Sequence, residues 1–201
     1  MDTLFLLVVL VVALRLFNGV AQRRRIALLA QHLSPLRIEP LMGTLMDGYL
    51  RALGETDPER QRQVWAVLET AEAEIDIQLG RLSASVAQMP PEHARVSRLP
   101  LALPFVEQWL PQACFDLREL LAIHARGVAA VRQQEGLSVR DRAFTLSAEL
   151  LLFQHSCHWY CKSKMVASAR LLARHKTSHA QVLASVSAGT RQAYLALVSG
   201  R

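Results

Sequence analysis

From Thr3 to Ala21 the chain runs through leucine, valine, phenylalanine and alanine with only Arg15, Asn18 and Gly19 as interruptions. A helix of that length rises about 28 Å, close to the roughly 30 Å hydrocarbon thickness of a bilayer. Arg15 sits near the basic end of the run, where a long side chain can reach the headgroups. Asp2 precedes the run and Arg23, Arg24 and Arg25 follow it. The positive-inside rule then predicts a single-pass span of an inner or cell membrane, with the amino terminus outside and the bulk of the chain in the cytoplasm. Residues 3–21 are the expected contact with the lipid bilayer. Two alternatives compete. Gly19-Val20-Ala21 has small residues at offsets that suit signal-peptide cleavage, but the positive leading region is missing and the arginines come after the apolar run. A buried core helix would also be apolar all round.

Beyond Ala21 the pattern changes to helical periodicity. Ile26 to Leu33 extends the first helix as a stalk that Pro35 stops. Leu41, Leu45, Tyr49 and Leu53 recur at four-residue steps and predict a short helix, weakened by Gly43 and Gly48. Thr56-Asp57-Pro58-Glu59 is a start signal: a capping side chain, proline in the first turn and acids at the positive dipole end. The helix that follows to about Gln88 has an apolar stripe at Val64, Val67, Leu68, Ala71, Ile75, Leu79, Leu82 and Val86. Its other face, Glu69, Glu72, Glu74 and Asp76, is expected to be solvated.

Met89-Pro90-Pro91 closes that helix, and a proline-spaced connector reaches Pro104. Val96, Leu99, Leu101 and Leu103 predict that it packs on the rest. A helix is expected from Phe105, reset at Pro111, to Gln134, and Gly136 marks a turn. One long central helix is expected from Ser138 to Arg174, opened by Ser138 and Asp141, and a last one from Ser178 to Val198. No stretch reads as a strand. The expected fold is all-α, an N-terminal single transmembrane helix followed by an antiparallel bundle of about four long helices. It divides into an anchor with basic flank (1–25), a stalk and short helix (26–55) and a bundle domain (56–201).

Charge and cysteine count narrow this picture. The chain of 201 residues carries a formal +6. After Ser138 there are nine Lys/Arg against Asp141 and Glu149, whereas Glu55 to Asp76 has seven acids against Arg60 and Arg62. Basic and acidic helices in one bundle offset each other, and the basic side chains after Ser138 span most of a helical wheel rather than one stripe. Nucleic acid is therefore not an expected partner. Three cysteines, two of them four apart on a helix, do not make a secreted disulfide framework.

Candidate chemistry centres on Gln154 to Lys162. On a wheel of about 100° per residue, Leu151, His155, His158, Lys162, Met165 and Ala169 fall near Phe144, with Cys157 and Cys161 on the adjoining arc. Thr145, Glu149, Ser156, Ser163, Arg170 and Arg174 form the polar strip, expected to face water. Cys114 lies twenty-two residues before Gly136 and His158 twenty-two after it, so a hairpin brings all three cysteines to one height. Cys114, Cys157, Cys161 and His158, with His155 as an alternate ligand, make a Cys3His set suited to zinc. The competing reading is that the thiols are small buried hydrophobes and the imidazoles bond to polar neighbours. His124 comes level with Glu149, an expected hydrogen-bonded pair.

No G-x-S-x-G, phosphate-cradling glycine loop, Ser-His-Asp set or paired Glu-x-x-His occurs. The expected function is a membrane-anchored, non-enzymatic helical-bundle scaffold or accessory subunit with protein partners at the membrane. The alternative is a zinc or redox regulator or enzyme at the membrane face, using the Cys/His cluster.

Overall fold

In a computed structural model, turn and capping residues end the helices much where the sequence places them. It describes residues 2–200, the side chains of Asp2 and Leu4 excepted. Met1 and Arg201, the outer ends of the anchor and bundle segments, lie outside the described residues. The first helix, α1 (Asp2–Leu33), is followed by α2 (Ile38–Gly54), α3 (Pro58–Val86), a two-stranded ribbon of β1 (Arg95–Ser97) and β2 (Cys114–Asp116), and the short α4 (Val106–Trp109) between those strands. Then come α5 (Leu117–Gln133), α6 (Val139–Cys161), α7 (Lys164–His175), α8 (His179–Ser185) and α9 (Ala188–Ser199).

Side-chain pairs give the antiparallel register directly. Between α2 and α3, Tyr49 Oη donates to Glu72 Oε1 at 2.8 Å, and Gln61 Nε2 to the Ala52 carbonyl at 2.9 Å nearer the turn. Between α3 and α5, Arg132 reaches Asp76 at 2.5 Å and Arg118 reaches the Met89 carbonyl at 3.3 Å. Between α5 and α6, His124 meets Ser156 at 2.8 Å, far from the Gly136 turn, where φ is +82°. The body is thus an antiparallel helical bundle, with α7, α8 and α9 completing the packing around α6 and α5. Its core includes Leu45, Ile75, Leu79, Leu82, Leu117, Leu120, Val128, Leu146, Leu150, Leu152 and Tyr160.

Five expectations need correction. Two short strands exist, paired antiparallel with Val96 opposite Phe115. The helix expected from Phe105 to Gln134 is one turn, a 3-10 turn at Pro111–Ala113, a strand and then α5, which Asp116 caps through Arg118 N at 2.8 Å. The single helix Ser138–Arg174 breaks at Lys162 (φ −130°, ψ −86°); Ser163 caps α7, and the amide freed at Met165 donates to the Pro100 carbonyl at 3.1 Å. The helix expected over Ser178–Val198 is two, each opened by its own serine cap, Ser178 and Ser187. On α3, Glu72 is buried (2% exposed), held by Tyr49 and by the Arg142 Nε 3.2 Å away.

The connector is also less buried than its leucines suggest. Val96 is in the core, but Leu101 and Leu103 are about half exposed at 52% and 51%. Arg98 ties the ribbon to the end of the chain: its guanidinium donates to the Val198 and Leu197 carbonyls at 3.0 Å each and to Gln112 O at 2.8 Å. Those α9 carbonyls have no partner within their own helix, so a half-buried donor fork supplies what the terminus lacks.

Candidate functional site

The four candidate ligands sit on two separate elements, β2 and α6. Cys114 opens β2, with Sγ 3.8 Å from the Leu110 carbonyl. Cys157 and Cys161 lie one turn apart in the last part of α6, Cys157 fully within the core and Cys161 half-buried. Burial raises the Cys114 thiol pKa, against the pull of Arg25, Arg95 and Arg98. Burial also raises Cys157 and pushes Cys161 up to about 11, with Arg25, Arg170 and Lys162 opposing on Cys161. Thiols held in this way stay protonated at neutral pH and are poor nucleophiles.

His158 faces a different neighbourhood. It lines an open cleft of about 440 Å³ with Gln154, His155, Arg170, Leu171, Ala173 and Arg174. Its pKa is lowered by burial, then by Arg170, Arg174 and His175. Among the described residues, no group of three or more His, Cys, Asp or Glu side chains is gathered as a metal ion would require. The shared height along the hairpin does not extend to a shared centre, because Cys114 sits on a strand and His158 turns toward α7.

What the fold does gather is a buried polar chain. His155 Nε2 lies 3.0 Å from Ser168 Oγ, and its ring stacks on His179 with centroids 4.3 Å apart. His179 Nε2 is 3.1 Å from Tyr194 Oη, and Tyr194 packs against His124 at 6.2 Å between ring centroids. His124 Nε2 meets Ser156 Oγ, whose own hydroxyl donates to the Leu152 carbonyl at 2.9 Å. With its single proton committed there, Ser156 accepts from His124, which places the His124 proton on Nε2 and leaves Nδ1 without a partner.

Glu149 lies nearby, 0% exposed, and Oε1 accepts from the Ser187 amide at 3.0 Å. That amide is at the amino end of α9, where positive helix-terminal charge favours an acceptor. Gly127 lets α5 pass close: a Cβ there would come within 2.2 Å of Thr190 Oγ1 and 2.8 Å of Glu149 Oε2. The expected His124–Glu149 pair is therefore replaced by His124–Ser156 and Glu149–Ser187.

Electrostatics follow from burial. It lowers His124 and His155 to about 3 and His179 to about 4, with neighbouring cations adding to the effect on the last two, and it raises Glu149. Near neutral pH the three rings are uncharged. Their chemistry is that of neutral donors and acceptors that lock α7, α8 and α9 onto the α5–α6 hairpin.

The wheel holds only in part: His155 and Cys157 are buried and Arg170 and Arg174 are exposed as it expects, but other positions differ. Phe144 and Met165, at its supposed inner face, are 63% and 53% exposed, while Glu149, Ser156 and Ser163 of the polar strip are buried. The strip turns inward because α5, α8 and α9 present polar groups to meet it. Two signals in the sequence point to these partners, the Ser178–Gln181 capping box and the Ser187–Thr190 cap, since each places a new helix start near α6.

A second feature is the junction of α1 with the body. Asn18 Nδ2 donates to the Ala102 carbonyl at 3.0 Å, Lys162 Nζ to Gln22 Oε1 at 2.8 Å, and Arg24 lies 3.1 Å from His93 Nε2. Arg25 pairs with Glu107 and lies over the Tyr160 ring at 5.9 Å; His32 meets Ser85 at 2.7 Å. Before this junction α1 is bare: the described side chains from Phe5 to Val12 are all exposed, and the helix is long and apolar enough to cross a membrane, with mean hydropathy 2.1. A buried core helix is thereby set aside. The molecule belongs to a broad class, an all-α body on one long apolar N-terminal helix. Compared with known proteins, the chain matches no family model, no curated protein and no solved structure.

Proposed function

We propose that the chain is a single-pass membrane protein whose helical body works in the cytoplasm as a non-enzymatic scaffold or accessory subunit of a membrane-associated protein assembly. The observation that carries this reading is the continuity of α1. One helix of 32 residues is bare and apolar in its first part, then bonded to the body by Asn18, Gln22, Arg24, Arg25 and His32. A flexible tether would only keep the body nearby, whereas a continuous helix holds it at one height and in one orientation. Arg23 and Arg24, exposed at the junction, favour the cytoplasmic side.

Mild detergent extraction of the full chain followed by size analysis and identification of co-purifying proteins tests this function. The expected result is a discrete complex larger than the chain with its detergent belt. Recovery as a lone monomer, after extraction that keeps other membrane assemblies intact, would remove the scaffold reading.

A further inference from the structure

The connector between β1 and β2 leaves a cluster of apolar side chains uncovered beside α1. Leu101, Leu103, Phe105, Trp109 and Leu110 are 52%, 51%, 41%, 73% and 44% exposed. They belong to one short stretch, so this is a patch rather than the scattered exposure any surface shows. Its position is fixed by α1. The Phe105 ring lies 5.8 Å from Phe17, and Trp109 lies 5.9 Å from Phe105, forming an aromatic ladder that starts on the apolar run itself. Asn18 holds the connector at Ala102 from the same turn of α1.

Phe17 is four residues before Ala21, about 6 Å along the helix axis. If α1 spans the bilayer, Phe17 lies just inside the headgroup boundary, and its ring neighbours cannot be far into water. Phe105 takes a left-handed backbone (φ +62°), a conformation a bulky residue rarely adopts and one that here accompanies the ring's place beside Phe17. The surrounding charge suits the same setting. Arg23, Arg24 and Arg95 are exposed nearby, and Lys162 is held to Gln22, whereas Glu107 is neutralised by Arg25; Glu92 is the exposed acid at this edge.

We infer that residues 101–110 form a second, interfacial membrane contact, with Trp109, Leu103 and Leu110 resting in the headgroup layer of an anionic bilayer beside the span. The inference rests on the membrane-spanning reading of α1 and adds to it that the body lies against the bilayer rather than standing off it. Tryptophan at the boundary, apolar side chains below it and basic residues around it are the recurring features of such a contact.

The test uses the full chain reconstituted in vesicles of phosphatidylcholine and phosphatidylglycerol, with a fraction of the lipid brominated near the headgroup end of the acyl chains. The fluorescence of Trp109 is the difference between the native chain and Trp109→Phe; that of the span is the difference between Val9→Trp and the native chain. The expected result is roughly a two-fold or greater quenching of the Trp109 component by shallow bromine, with the Val9→Trp component quenched by lipid brominated near the bilayer centre. The double variant Leu103→Asp, Leu110→Asp should lose the Trp109 quenching while its helical circular dichroism is unchanged. If Val9→Trp is quenched and Trp109 is not, the span stands and the interfacial contact is overturned, leaving the patch for a protein partner. If neither is quenched, the membrane-spanning reading fails and the inference goes with it.

Discussion

Two long helices of this protein, α1 and α6, lack the one-sided apolar stripe of an ordinary surface helix, and their fates are opposite. The described side chains of α1 from Phe5 to Val12 are all exposed, while α6 is surrounded by α1, α2, α5, α7 and α8. A helix without a dominant polar face must find apolar surroundings on every side, from lipid or from protein. What separates the two is the polar groups they carry. On α6, Glu149, His155 and Ser156 each find a partner inside the body. On the apolar run of α1, Asn18 is the side chain that bonds to the body, and it does so at the end where the body begins.

The largest effect should come from removing apolar volume from each helix. Leu152, fully buried in α6, is expected to cost about 2–5 kcal/mol when changed to Ala. Val9→Ala, at a site 48% exposed, should leave unfolding of the body within about 0.5 kcal/mol. Chemical denaturation of the reconstituted chain measures both, and equal losses would erase the contrast.

Acid should act on the α6 side alone. His124, His155 and His179 have folded pKa values of about 3, 3 and 4 against an ordinary 6.5, so the unfolded chain binds protons that the folded chain refuses. The stability these rings lend is complete above about pH 6.5 and drains as pH falls toward their folded values. For a fully buried ring this amounts to about 2 kcal/mol by about pH 5. Glu149 runs the other way: its raised pKa lends stability that is complete below its ordinary 4.5 and lost as pH rises through the folded value. Three rings outweigh one carboxyl, so the unfolding midpoint should fall on acidification from neutral pH. A midpoint that is level down to about pH 5 would contradict the buried neutral chain.

A glycine comparison sharpens the point. Gly127→Ala forces a Cβ against Thr190 and Glu149 and should cost about 1–3 kcal/mol. Gly19→Ala meets nothing within 4 Å and should be neutral or stabilise α1 by up to about 1 kcal/mol. Thermal unfolding of both variants decides it. The smallest effect is at the junction: Asn18→Ala removes one hydrogen bond to Ala102, about 0.5–1.5 kcal/mol. It should appear as faster amide exchange around residues 101–110 without a change in the α5–α6 hairpin.

Much of this architecture was legible in local chemistry. Asp57-Pro58 at the start of α3, Ser138 before α6 and Gly136 at its turn act through their nearest neighbours, and each does what its residue type predicts. The breaks inside the expected long helices were not. Ser163 and Ser187 are caps only if the chain stops being helical just before them, and that depends on α1 crossing at Lys162 and on Glu149 waiting for the Ser187 amide. The inner face of α6 was legible only in part. A wheel orders side chains by chemistry, but the inner face of α6 was chosen by what α5, α8 and α9 offered.

Taken alone, then, the sequence determined the all-α class, the unbroken apolar run of α1 and most helix ends, because periodicity, capping and hydropathy act within a few residues. Tertiary structure decided which face of α6 is inside, that Cys114 stands on a strand while His158 lines a cleft with α7, and that Phe105 and Trp109 continue the apolar surface of Phe17. Those outcomes depend on contacts between residues tens of positions apart, where burial of one group is favourable only if another element supplies its partner.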